Sequence, residues 1–214
     1  MQIKKLLWII SICLFLSNIV CANDIKKFKI EEMKIGDSAL DYFEETQIEN
    51  SEIDWHNYNY KEYSTSILPG KDIYNWIQLS YKSYDENFII EGLVGIVEKK
   101  NYDYKKCNKD LDNETLYILD LFKNIKQSEK QSYKITYNPR KIYQMSDSSG
   151  KSTLTRIIFD LPDQGEIILA CYNMDKATNE IDTSRNIVID VNKIDSFRID
   201  IRSRALIYYL KQMQ

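Results

Sequence analysis

Residues 153–173 read TLTRIIFDLPDQGEIILACYN, and their pattern indicates the kind of sheet that this chain forms. Its two parts, 153–161 and 166–173, are short apolar runs rich in β-branched residues, which is typical of strands. The loop LPDQG (161–165), which begins at the last residue of the first run, has the composition of a turn. The stretch therefore predicts a β-hairpin, and with it an antiparallel sheet in the second half of the chain.

Residues 132–137 and 186–191 are predicted to complete a β-meander around this hairpin. From Ile194 onward, helical spacing and strand-like alternation overlap, and we expect a helix toward the C-terminus. At the other end of the chain, residues 25–30 alternate apolar and charged side chains, which predicts a short strand.

A second hairpin is predicted in residues 73–97, IYNWIQLSYKSYDENFIIEGLVGIV. Ile73, Ile77, Leu79 and Tyr81 share one strand face, and Tyr74 and Trp76 share the other. Residues 88–97 are apolar on both faces apart from Glu91, which indicates a central strand covered on both sides.

Residues 110–126, DLDNETLYILDLFKNIK, predict the main helix. Its apolar stripe recurs at spacings of three and four and consists of Leu111, Thr115, Ile118, Phe122 and Ile125. Acids come early and lysines late, an order that complements a helix dipole, and Cys107 would lie at or just before the helix start. A shorter helix is predicted at about 38–45, after a turn at Gly36. The expected fold is thus α+β: mostly antiparallel sheet with a packed helix at about 110–126 and a short N-terminal helix.

Residues 1–22 have the layout of a cleaved secretory signal peptide. Lys4 and Lys5 precede an apolar run, and Val20 and Ala22 suit a signal-peptidase site. A retained membrane anchor and a lipidated Cys21 are the alternatives. We expect an exported protein, periplasmic or secreted, with residues 23–214 as one α+β domain and no transmembrane span after cleavage. Two sub-domains meeting near 127–131 are the alternative organisation.

Charge and motifs argue against several classes of ligand. The formal net charge is −3 with both signs interspersed, so no basic patch for nucleic acid is expected. Residues 148–153, SSGKST, resemble the end of a phosphate-binding loop, but Met145 stands where such a loop needs glycine, and a strand rather than a helix is predicted next. His56 is the only histidine, so no metal site, cofactor or histidine-based catalysis is expected.

Cys107 and Cys171 remain after signal cleavage. In an oxidising compartment they either form a disulfide or stay as two buried thiols, and the expectation leans slightly toward the bridge. A bridge would close a loop of roughly 65 residues and stabilise the fold by about 4 kcal/mol.

Six aromatic residues crowd one span and form the candidate binding site: Trp55, Tyr58, Tyr60, Tyr63, Tyr74 and Trp76. If exposed, they would suit an envelope protein or a glycan, because tyrosine and tryptophan anchor interfaces. If buried, they are the large residues of a sheet, which general burial habits favour.

The run from Phe28 to Phe43 contains the pattern I-G-D-S-x-L-D-Y-F and follows a signal peptide. With the later Cys107 helix and Cys171 strand, it resembles uncharacterised short exported proteins of AT-rich bacteria. The resemblance implies compartment and fold, and it assigns no activity or catalytic residue.

Three functions remain open from the sequence. The favoured one is a non-catalytic binding or interaction module of the cell envelope. A carboxylate-based hydrolase would instead need two acids that converge in a pocket with shifted pKa values. A purely structural envelope protein is the third.

Overall fold

The computed structural model describes residues 25–53, 62–98, 104–122, 125–134, 152–162, 165–173 and 196–212. The predicted signal peptide at 1–22, the predicted strand at 186–191 and residues 148–151 of the SSGKST motif lie outside these ranges.

Within the described residues, eight strands form one antiparallel sheet. They are β1 (Tyr63–Pro69), β2 (Trp76–Lys82), β3 (Gly92–Glu98), β4 (Lys126–Gln127), β5 (Gln131–Lys134), β6 (Thr153–Asp160), β7 (Glu166–Asn173) and β8 (Ser196–Arg202). The order is β1-β2-β3-β8-β7-β6-β4, and β5 also pairs with β6. Each of these pairings is antiparallel, and the predicted 153–173 hairpin is present as β6 and β7, with Ile157 opposite Leu169.

Three α-helices accompany the sheet in the described ranges: α1 (Glu45–Asn50), α2 (Tyr104–Leu121) and α3 (Arg204–Gln212). Two 3-10 turns, Ile25–Lys27 and Ala39–Asp41, lie in the N-terminal segment. The α+β fold with mostly antiparallel strands, a packed helix and short N-terminal helices is therefore confirmed.

The sheet has an inner face, which carries the core, and an outer face. The core cluster unites side chains of the N-terminal segment, of α2 and of the inner face; among the most buried are Ile30, Ile48, Leu79, Leu93, Leu111, Ile118, Phe159 and Leu169. Helix α2 packs on β7 and β8. Leu206 of α3 lies on the outer face against Gly92, where an added Cβ would approach it to 2.5 Å. Strand β3 is buried on both faces between β2 and β8, which confirms the predicted central strand, although the strand begins at Gly92 rather than at Phe88.

The I-G-D-S pattern anchors the N-terminal segment to the loop before β3. Gly36 has φ +89°, a left-handed conformation that favours glycine, and its N–H donates to the Ile90 carbonyl at 2.8 Å. Ser38 Oγ caps the following 3-10 turn at Leu40 N and also donates to the Asn87 carbonyl at 2.6 Å. In this chain the pattern thus has a structural role.

Helix α2 begins at Tyr104, six residues before the predicted start, and Cys107 lies in its first turn. The dipole argument was wrong, because the first turn contains no acid and the last turn no base. Lys105 and Lys106 instead occupy the first turn. Tertiary contacts hold this end of the helix: Tyr104 Oη lies 2.8 Å from Thr155 Oγ1, and Cys107 is bonded to the sheet.

Two other predicted elements differ from the structure. Residues 25–30 do not form a strand: a 3-10 turn is followed by a single bridge between Ile30 and Met33. Near the C-terminus, the chain forms a strand where strand-like alternation and helical spacing overlap. The side chains of Phe197, Ile199 and Ile201 fill the inner face between β3 and β7. The helix follows only at Arg204.

Candidate functional site

The three described members of the aromatic site do not come together. Tyr63 and Trp76 lie on the outer face at opposite ends of the β1–β2 pair, opposite Lys82 and Pro69 respectively. Tyr74 belongs to the turn before β2 and lies on the inner side, against Gly95, so the prediction that it shares a strand face with Trp76 was wrong. Ile73 also precedes β2 and is exposed rather than part of the predicted strand face. Trp55, Tyr58 and Tyr60 lie outside the described residues.

Tyr63 and Tyr74 are packing residues. The Tyr63 ring is buried against Tyr209 of α3, with ring centroids 4.9 Å apart. Burial, reinforced by Glu91, raises the pKa of Tyr63 to about 12. The Tyr74 ring lies so close to Gly95 that an added Cβ would come within 2.5 Å of it, and burial together with the nearby Glu114 raises the pKa of Tyr74.

Trp76 differs from both, because its side chain is 40% exposed although it stands on a paired strand. Its indole N–H donates to Glu98 Oε2 at 3.1 Å, which fixes the ring across β2 and β3. Around it on the outer face lies a group that we name the Trp76 surface: Ile67, Pro69, Trp76, Gln78 and Glu98. These side chains are exposed or half-buried, and the buried Ile96 of β3 pairs with Trp76 on the same face.

The Trp76 surface continues around the edge of the sheet. A shallow open depression of about 350 Å³ lies between α1 and β1. Ile67 and Pro69 line it and belong also to the Trp76 surface, while Gln47 and Asn50 of α1 contribute amides. Sequence reasoning missed Ile67, Gln78 and Glu98. The alternation in STSILP (64–69) was the signal that could have placed Ile67 on the same face as Trp76.

The predicted disulfide is present in the structure. Cys107 and Cys171 are bonded, with their Cα atoms 5.8 Å apart, and both are buried. The bond joins the first turn of α2 to β7, so it ties the main helix to the middle of the sheet.

Two carboxylates converge in the described ranges, those of Glu166 and Asp200, and both form ion pairs with Arg202. No group of three histidine, cysteine or acidic residues there could hold a metal ion. Burial, and then the charge of Asp110, raises the pKa of Glu114, but no acid lines the depression beside α1. The geometry can therefore offer an apolar contact surface with a fixed indole.

Comparison of the chain with known protein families, with curated proteins and with solved structures gives no significant match. Among the described helices, none is long and apolar enough to cross a membrane.

Proposed function

We propose that this protein is an exported, non-catalytic interaction module of the cell envelope, and that it docks a polypeptide partner on the Trp76 surface. The observation that carries the proposal is an indole that is 40% exposed and yet fixed by a hydrogen bond to Glu98. A fixed aromatic side chain binds without a large loss of rotamer freedom, which is the property of an interface anchor.

The surroundings of Trp76 suit a polypeptide. Pro69 and Ile67 offer aliphatic contact beside the ring, and the adjoining depression can receive one side chain of a partner. The Gln47 and Asn50 amides at its rim can meet polar backbone groups. A glycan that stacked on the indole in place of a polypeptide would contradict the proposed class of partner.

The test is affinity capture from an envelope extract with the chain from residue 23 onward, followed by quantitative mass spectrometry. Trp76→Ala is compared with Tyr84→Ala, a matched control because Tyr84 is 91% exposed and lies in the loop after β2. A central tryptophan anchor contributes about 2 kcal/mol or more, so Kd for the captured partner should rise roughly 30-fold in Trp76→Ala.

Tyr84→Ala should bind the partner as the unsubstituted chain does. A partner retained equally by Trp76→Ala would refute the proposed surface, and capture of oligosaccharide alone would refute the polypeptide partner. Export is tested separately, by fractionating cells that express the full chain. The proposal requires the protein to leave the cytoplasm and residues 1–22 to be removed.

The alternative functions gain no support from the described residues. A carboxylate-based hydrolase needs two converging acids in a pocket, and the depression beside α1 has none in its lining. In a purely structural protein, the hydrogen bond between the Trp76 indole and Glu98 would have no role in binding.

A further inference from the structure

An unusual turn in the N-terminal segment directs one carboxylate toward the β1–β2 turn. Glu31 and Glu32 have φ angles of 47° and 72°, both left-handed and rare for residues other than glycine. They form a two-residue turn whose flanking residues, Ile30 and Met33, exchange backbone hydrogen bonds at 3.0 Å in both directions. This geometry matches a type I′ turn, which most often contains Asn or Gly.

The Glu31 carboxylate is seated among backbone amides of the β1–β2 turn. Its two oxygens accept from Lys71 N at 2.8 and 3.0 Å, and Oε1 also accepts from Asp72 N at 3.0 Å and Tyr74 N at 3.4 Å. Successive amides that converge on an anion form a nest, and hydrogen bonds to a carboxylate are stronger than neutral ones. Gly70 is required beside this nest, since a Cβ there would lie 2.1 Å from the Tyr74 carbonyl oxygen.

Hydrogen bonds lead from this nest to the indole of Trp76. Asn75 follows Tyr74 directly; its N–H donates to the Ile96 carbonyl at 2.8 Å, and its carbonyl accepts from Gly70 N at 3.0 Å. The Asn75 side-chain oxygen accepts from Glu98 N at 2.7 Å, and Glu98 Oε2 accepts the indole N–H of Trp76. If the turn lost its contact with Glu31, two supports of the indole would loosen: the backbone of Trp76 and its hydrogen-bond acceptor, Glu98.

We propose that Glu31 is a positioning residue for Trp76: its carboxylate fills the amide nest of the β1–β2 turn and so holds the indole in its fixed orientation. Through this contact the N-terminal segment controls the proposed docking surface. The consequence for partner binding rests on the proposed function. The coupling of Glu31 to the indole does not, and it is measured without a partner.

The experiment uses the full chain with Trp8→Phe and Trp55→Phe, which leaves Trp76 as the only tryptophan. Acrylamide quenching and fluorescence anisotropy then report on this indole alone. In Glu31→Ala the quenching constant should rise by up to about 2.5-fold, the limit set by the present 40% exposure, and anisotropy should fall as the turn opens locally. Sodium acetate should reverse both changes by filling the nest with a free carboxylate, whereas sodium chloride at equal ionic strength should not.

Glu32→Ala is the matched control, because Glu32 shares the turn, the charge and the left-handed backbone but accepts no bond from the nest amides through its side chain. Its Trp76 signals should equal those of the background. If circular dichroism shows Glu31→Ala to be unfolded, Glu31→Gln decides: it keeps one acceptor oxygen and should give an intermediate quenching constant that acetate does not change.

Unchanged quenching in the deciding variant would overturn the proposal, and so would a rise in Glu31→Ala that acetate leaves in place or one that Glu32→Ala shares. Such results would leave the Trp76 surface standing as a docking site. A partner that ignores Trp76→Ala would instead refute the docking site and leave the role of Glu31 intact.

Discussion

Loss of the Cys107–Cys171 bond should lower the stability of the whole domain rather than merely loosen one end of a helix. The bonded residues are 64 positions apart, and a closed loop of that size is worth about 4 kcal/mol through the reduced entropy of the unfolded chain. Typical domains have a free energy of unfolding of only about 5–15 kcal/mol, so this is a large share. Burial of both sulfurs means that a reductant reaches them only when the domain opens.

Equilibrium urea unfolding, followed by circular dichroism, provides the assay. The chain carries Cys13→Ser and Cys21→Ser so that only the two cysteines of interest remain. With a urea dependence of about 2 kcal/mol per M, reduction should lower the unfolding midpoint by about 2 M. A Cys107→Ala/Cys171→Ala variant should match the reduced protein and no longer respond to reductant.

Equal midpoints for the oxidised and reduced proteins would refute this estimate of the stabilisation. Two titratable thiols in the unfolded, unreduced protein would refute the bond itself.

Three further changes test the packing and the charges. Gly95→Ala should cost about 1–3 kcal/mol of unfolding free energy, because the added Cβ meets the Tyr74 ring; urea unfolding checks this. Glu114→Gln should stabilise the protein at neutral pH, since burial raises the pKa of this carboxyl and its ionised form is disfavoured; the gain should disappear in acid, where Glu114 is protonated. The neutral form of Tyr63 contributes stability that is complete below pH 10 and lost as pH rises through its pKa of about 12; Tyr63→Phe should flatten the alkaline decline of the unfolding midpoint.

The sequence predicted elements whose periodicity is local. Strand β7 spans Glu166–Asn173, which is the predicted range. Strand β6 ends at Asp160, one residue before its own predicted end at 161. The apolar stripe of the main helix was also predicted: Leu111, Thr115 and Ile118 of α2 are buried, and so is Phe122 directly after it. The helix ends at Leu121 rather than at about Lys126, which belongs to β4. The first turn of that helix was missed because its residues are polar and held by partners distant in sequence, as the 2.8 Å contact between Tyr104 and Thr155 shows.

The candidate site was harder to predict than the fold. Tyr63, Tyr74 and Trp76 are close in sequence, but the length of the β1–β2 pair and a turn separate them in space, and packing against Tyr209 and Gly95 buries two of them. The packing of these tyrosines against Tyr209 and Gly95 could not be inferred without the order of the strands in the sheet. Of the described members of the predicted aromatic site, only the Trp76 indole remains a candidate for binding, with neighbours from β1 and β3.

Three acids of the described residues have structural roles in turns. Glu31 and Asp85 accept hydrogen bonds from backbone amides, Asp85 from Asn87 and Ile89 at 3.0 Å each, and Asp37 accepts from Lys34 N and from the Tyr42 hydroxyl. Glycine is scarce in this chain, and side-chain carboxylates satisfy amides in tight turns that backbone carbonyls cannot reach. Asp37 and Asp85 serve the fold, so their removal should act on stability first. Trp76 is the reverse case: it is exposed on the outer face and fills no core position, which is why its removal should act on binding first.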